Sequence, residues 1–304
     1  MMAAATATAA LDVSVETPLH RLVRKFVANR IALSGLVVFA AITLLAVAAP
    51  LVAPQNPYDL ATLDIIDGSL EPGMTNIDGK PYLLGTDEQG RDMLSAILYG
   101  LRISIGIGVG STVIALVIGL ALGLFAAYSG GWRDTLVMRL VDLQLGFPPI
   151  LIALILLAIL GRGVDKVMIA LVALQWAYYA RTVRATALVE RRKEYIEAAR
   201  CLALPYSRIV FGHLMPNCLP PLIVVATMQV AHAIALEATL SFLGVGVPVT
   251  EPSLGMLIAN GFDFMMSGRY WVSFFPGITL LVTVVSINLV GDHLRDILNP
   301  RLQK

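Results

Sequence analysis

Apolar residues along this chain gather into long stretches that carry no charge: 31–58, 103–132, 143–161, 167–180, 209–236 and 270–291. The hydrocarbon core of a bilayer is about 30 Å thick, and about 20 apolar residues of helix cross it. Five windows suffice on that measure. The fourth is extended at its ends, with Asp165 and Lys166 on one side and Arg181 and Arg184 on the other; long basic side chains there can snorkel to water. The pattern predicts six spans, near 31–52, 102–127, 143–161, 164–184, 217–240 and 271–291. Ala46-Val47-Ala48 looks like a signal-peptidase site, but a polar leader precedes this apolar run, which outlasts a signal core, so it is read as a retained helix.

Composition agrees with the pattern. The chain is 57% hydrophobic and 14% charged, with a mean hydropathy of +0.78, against about 25% charge in an ordinary soluble chain. That argues against a water-soluble enzyme. A net charge of +1 gives no bulk attraction to nucleic acid. With six spans, 16 Lys and Arg fall on the side of the N-tail, the 129–142 and 181–208 loops and the C-tail, and 6 on the other. By the positive-inside rule both termini are expected in the cytoplasm. The 53–101 segment, with eight acids, is expected outside.

Candidate chemistry is sparse. The two cysteines, Cys201 and Cys218, form no C-x-x-C, so neither a disulfide scaffold nor a cysteine zinc site is expected. His20, His213, His232 and His293 form no ligand pair. There is no G-x-x-x-x-G-K-[ST], so the chain is not expected to hydrolyse ATP, and no G-x-S-x-G nucleophile motif. Asp87 to Asp92 lacks the ligand spacing of a calcium loop and reads as a polar turn.

Met1–Ala10 is a low-complexity Ala/Thr stretch, expected to be disordered. In 18–30, Leu22, Val23, Phe26 and Val27 alternate at helical spacing with Arg21, Arg24, Lys25 and Arg30. This reads either as an interfacial amphipathic helix or as a plain positive-inside anchor. Gly106-x-x-x-Gly110 and Gly119-x-x-x-Gly123 place small residues where helix backbones can approach closely. Pro148 and Pro149 open the third span, with a bend at Gly146 and Phe147. Glu237 is the one acid near a span's hydrocarbon region. It is a candidate for gating or for lining a pathway; the plainer reading puts it at the outer interface, or bonded to Thr239 or a neighbouring amide.

The 185–216 segment reads as a helix, a break at Leu204-Pro205, and a short second helix ending at Met215-Pro216-Asn217. In its first helix Tyr195, Ala198, Ala199 and Leu202 share a face. Lys193, Glu197 and Arg200 lie across from it, spaced to pair.

Glu197-Ala198-Ala199, the break, and Pro216 together resemble the EAA loop of binding-protein-dependent ABC importer permeases. The chain departs from that pattern at Ala203, where the family has Gly, which leaves Leu204-Pro205 as the alternative source of the turn. Leu84-Gly85-Thr86-Asp87-Glu88-Gln89-Gly90-Arg91-Asp92 with Gly100-x-Arg102 and Ser104 resembles the dipeptide/oligopeptide branch of that family. So do Gly130-Gly131-Trp132-Arg133-Asp134, Glu237-Ala238-Thr239-Leu240-Ser241-Phe242-Leu243-Gly244-x-Gly246 and Gly291-Asp292 through Arg301. The match points to the C-type subunit. It implies an all-α, polytopic type I ABC importer permease: six transmembrane helices with a cytoplasmic coupling-helix hairpin, in a bacterial inner membrane.

The resemblance further implies a B-type permease partner, two ABC ATPase subunits and a periplasmic or lipid-anchored substrate-binding protein, all working in membrane lipid. ATP and Mg would sit on the ATPases, with no cofactor on this chain. Tyr195, Glu197, Ala198, Ala199, Ala203 and Pro216 would couple to the ATPase. Peptides are the implied cargo; nickel chelates, opines and glutathione are the alternatives within the class, and an ion-coupled carrier is the alternative outside it.

Overall fold

A computed structural model of the chain describes residues 18–59, 63, 65–76, 79 and 81–298. The expected disorder of Met1–Ala10 and the C-tail from Asn299 lie outside these residues. The described residues form twelve α-helices and no strand. They are α1 (Pro18–Ala28), α2 (Arg30–Val47), α3 (Ala49–Val52), α4 (Met93–Ser129), α5 (Gly131–Gly146), α6 (Pro149–Leu160), α7 (Val164–Glu190), α8 (Glu194–Cys201), α9 (Tyr206–Ile209), α10 (Met215–Phe242), α11 (Leu254–Phe262) and α12 (Trp271–Leu298). A π-turn over Val210–Leu214 joins α9 to α10.

Among the described residues, four helical stretches are long and apolar enough to cross a membrane: Arg30–Val47, Met93–Ser129, Tyr206–Phe242 and Trp271–Leu298. The expected third span, 143–161, is not one straight helix. Its first residues end α5, and α5 and α6 meet at 95°. The cause is local. Phe147 and Pro148 are both extended because each precedes a proline, which disfavours helical backbone. The twelve residues of α6 rise only about 18 Å. Counted with α5 as one broken span, the pair makes five. The expected fourth span is α7, 27 residues long. Its charges set it apart from the apolar four.

Those charges are paired. Arg184 grips Asp134 of α5 through two hydrogen bonds of 2.5 and 2.6 Å, and Arg181 binds Asp142, also on α5. The arginines expected to snorkel instead clamp α7 to α5. On its other side α7 packs most extensively against α4. A side chain at Gly123 would press 2.7 Å from the Ala180 carbonyl and from Val183 Cβ, and one at Gly119 would strike Tyr179. This second glycine pair thus serves contact within the chain. At Gly106 a side chain would meet nothing within 4 Å.

The amphipathic N-terminal segment forms α1. Asn29 breaks it and caps α2, accepting from the amides of Ile31 and Ala32. The Asn29 amide also reaches His293 of α12 at 3.1 Å, and the Phe26 ring lies 5.4 Å from that imidazole.

At the other end of the bundle the 84–92 turn fixes the start of α4. Asp87 accepts from the amides of Gln89 and Arg91 and forms a buried 2.6 Å ion pair with the Arg91 guanidinium. Asp92 caps α4 by accepting from the Ser95 amide and hydroxyl. Trp271 Nε1 donates to the Thr86 carbonyl at 3.2 Å, which brings α12 to the same turn. The segment is the polar turn expected from its spacing.

Candidate functional site

Two polar constellations stand out against the apolar bundle, one at each end of α10. The first is the elbow, residues 190–217. Its helix α8 has two small amphipathic turns' worth of residues. Ile196 and Ala199 are buried against Ile209, with Leu204 packed alongside. Ala198 faces outward with Glu197, Cys201 and Leu202. The shared face expected for Tyr195, Ala198, Ala199 and Leu202 is therefore split: Ala199 seats the helix on its own hairpin, and Ala198 stays open. Lys193 does not pair with Glu197. It turns back to Glu190 at 2.6 Å.

The turn after α8 is a Schellman motif. The Leu204 amide donates to the Ala199 carbonyl at 3.2 Å, and the Ala203 amide to the Arg200 carbonyl at 2.9 Å. The motif needs left-handed backbone at its penultimate residue, and Ala203 adopts it, with φ of 51°. Leu204-Pro205 follows rather than replaces that turn, with Pro205 extended at the start of α9. Pro216 is the second residue of α10, just past the π-turn. Upstream of it the Met215 amide reaches the Val210 carbonyl, one residue further back than in an α-helix.

Polar contacts tie the elbow to three long helices. The Tyr195 hydroxyl donates to Glu190 Oε2 at the end of α7 at 2.7 Å and accepts from Asn217 Nδ2 at the start of α10 at 3.2 Å. Burial and the adjoining Glu190 carboxylate push the Tyr195 phenol up to about 12. Burial works to raise the Glu190 carboxyl, yet its bonds to Lys193 and Tyr195 outweigh that and hold it below the usual carboxylate range. Arg191 caps α4 by donating Nη1 to the carbonyls of Ala127 and Tyr128 at 2.8 and 3.3 Å. Its guanidinium also sits 5.4 Å from the Tyr128 ring, which meets Tyr206 edge-on at 3.9 Å. Around this frame Leu202 is 74% exposed and Phe211 61%.

The second constellation surrounds Glu237, which is fully buried. Its carboxyl does not bond Thr239, whose hydroxyl goes to the Ala235 carbonyl. Ser104 of α4 donates to Glu237 Oε2 at 2.8 Å, and Ser241, one turn on, to Oε1 at 2.8 Å. Ser253, which caps the start of α11, is buried beside it. Each serine is itself held by backbone: Ser104 accepts from the Leu254 amide, Ser241 from Val247 and Ser253 from Met256. A side chain at Gly246 would meet Ser241 Oγ at 2.5 Å, so the fold-back after α10 requires glycine there.

Sequence reasoning had picked out Tyr195, Glu197, Ala198, Ala199, Ala203 and Pro216, and the structure gathers them in the elbow. It missed Glu190, Arg191 and Asn217, whose partners lie up to 64 residues away. The one local signal was the Glu190-x-x-Lys193 spacing.

Comparison with known proteins follows the same lines. Residues 119–304 match the family described as "Binding-protein-dependent transport system inner membrane component". Residues 17–72 match the "N-terminal TM domain of oligopeptide transport permease C". The chain is 39% identical over 288 residues to a di/tripeptide transport system permease protein of Pseudomonas aeruginosa, covering 94% of this chain and 93% of the relative. It is 35% identical over 294 residues to a dipeptide transport system permease protein of Haemophilus influenzae, covering 97% and 98%. Among solved structures, a chain of an inward-facing methionine ABC transporter superposes with a TM-score of 0.55 at 22% identity, covering 67% of this chain and 97% of that one. That likeness speaks to the fold alone.

Proposed function

This chain belongs to the family of binding-protein-dependent transport system inner membrane components, and from that premise we propose that it forms half of a peptide pathway driven through α8. The membrane-spanning permease role comes with the family. The cargo, the motor and the orientation are our reading. In it, α7 and the broken pair α5–α6 complete six membrane crossings, and the elbow and both termini face the cytoplasm. A B-type permease supplies the other half, a substrate-binding protein delivers cargo from outside, and two ATPases carry the ATP and Mg. Di- and oligopeptides are the proposed cargo, as the names of the relatives suggest.

The observation that carries this reading is the two-sided build of α8. Its inner face, Ile196 and Ala199, is committed to the hairpin, while Glu197, Ala198 and Leu202 are left open. A helix built this way can lie in a groove on a partner and still be rigidly joined to the bundle. ATP binding shifts a permease only as far as the ATPase prefers one arrangement of the elbows over another. Tyr195 and Arg191 tie the elbow to the ends of α7, α10 and α4, so a displacement of α8 is passed to three long helices. Glu197→Lys reverses a charge on the open face without touching the inner one. The expected result is loss of copurifying ATPase and of peptide uptake from a complex whose two permeases still associate. Wild-type levels of both in that variant would refute the coupling role.

A further inference from the structure

The helix that begins in the elbow ends in the Glu237 cluster. From Tyr206 to Phe242 the chain is one continuous helical stretch of 37 residues, with a π-turn near its start and Pro220 and Pro221 inside it. At about 1.5 Å per residue it measures about 55 Å, more than the thickness of a bilayer core. Near its far end it carries the fully buried carboxyl that gathers hydroxyls from α4 and from α10 itself. The Ser104 and Ser241 hydroxyls each accept a backbone N–H and donate to the carboxyl. In this way Val247, midway along the turn between α10 and α11, and Leu254, just after it, are anchored to one side chain through two hydroxyls. The packing there is equally close: a side chain at Gly255 would collide with the Ala238 backbone, and one at Gly100 would stand 3.3 Å from the Leu254 amide.

We propose that Glu237 is a positioning residue for transport, the knot that makes the outer turn 243–253 and the start of α11 move with α10 and α4 as one body. This rests on the reading of the elbow as the input. Movement delivered to the near end of α10 then reaches the outer mouth through a carboxyl and two hydroxyls rather than through apolar contact alone. A buried carboxyl is costly to place in a span. Here all its bonds go to side chains that hold separate segments, and none to a charged partner among the described residues.

The test uses the assembled transporter in proteoliposomes, with Glu237→Gln, Ser104→Ala and Ser241→Ala compared with the unaltered protein. Glutamine keeps the shape but replaces one acceptor oxygen with a donor, so one serine can no longer donate to it. The expected result is peptide uptake reduced about tenfold or more in Glu237→Gln, the scale of one broken buried hydrogen bond. Copurifying ATPase should stay at the normal level, and amide exchange should rise within 243–257 while 190–217 is unchanged. Ser104→Thr, which keeps the hydroxyl, should restore uptake relative to Ser104→Ala. If Glu237→Gln fails to accumulate, the two serine variants carry the same readings. Uptake within about twofold of normal, or exchange at 243–257 unchanged, would overturn the proposal. Failure of the elbow reading looks different: there, Glu197→Lys would leave copurifying ATPase intact.

Discussion

The hydroxyl of Tyr195 donates across 2.7 Å to Glu190, so the first residues of α8 are bonded to the last residue of α7. Asn217 completes the contact from α10. A single side chain thereby sets the angle between the elbow and two long helices. Tyr195→Phe keeps the ring and removes the bond. The account predicts a loss of about 1–2 kcal/mol locally, as for a half-exposed hydrogen bond to a charged group. Amide exchange over 190–204 should rise and peptide uptake per ATP hydrolysed should fall, while the ATPase still copurifies. Unchanged exchange would show that the bond does not hold the elbow.

Both α8 and α10 end in a Schellman turn, and the two copies test each other. After α10 the left-handed residue is Gly244, with φ of 75°; after α8 it is Ala203, with φ of 51°. Left-handed backbone costs an L-residue roughly 1 kcal/mol more than glycine. Ala203→Gly is expected to tighten the elbow by about that amount, and Gly244→Ala to loosen the outer turn by a similar amount. Exchange rates of the Leu204 and Val245 amides, which close the two turns, should move in opposite directions.

Stability at the elbow should depend on pH at both extremes, with opposite signs. The Glu190 carboxyl is held below its usual range once its bonds to Lys193 and Tyr195 outweigh burial. Its contribution is present above the ordinary glutamate range and is lost as pH falls through the depressed one. The Tyr195 phenol is raised to about 12, first by burial and then by Glu190. Its contribution is present below the ordinary phenol range and is lost as pH rises through about 12. Amide exchange at 190–204, corrected for intrinsic rates, should be flat between these limits. A midpoint near neutrality would contradict the assignment.

The two glycine pairs in α4 should differ sharply. Gly123→Leu would force apart α4 and α7, where Val183 and Ala180 stand within 2.7 Å of the added carbon, costing several kcal/mol (about 3 or more) by overpacking. Gly106→Ala meets nothing within 4 Å and should leave the melting temperature in detergent unchanged or slightly raised. Equal effects would mean that the α4–α7 contact is not the close one described.

Much of this was legible in the residues because the bilayer writes its demands in runs of uncharged sequence. The core helices, the bend at Phe147-Pro148 and the elbow all follow from local rules about length, proline and periodicity. What was not legible depends on partners far apart in sequence. Nothing near Arg184 announces that Asp134 will neutralise it, and nothing near Glu237 announces Ser104. Ala199 and Ala198 are equivalent on a helical wheel until Ile209 claims one of them. The left-handed Ala203 was half visible: the pattern asked for glycine there, and the hydrogen bonds of the turn impose that conformation on alanine.

The central claim, that α8 is covered by a separate ATPase, can be measured with a native side chain. Cys201 lies exposed at the end of α8, and Cys218 is buried in α10. A bulky polymer maleimide should modify Cys201 rapidly in the permease pair stripped of its ATPases. It should react much more slowly in the complete transporter, with the rate changing again when ATP is bound. Equal labelling rates with and without the ATPases would contradict the account.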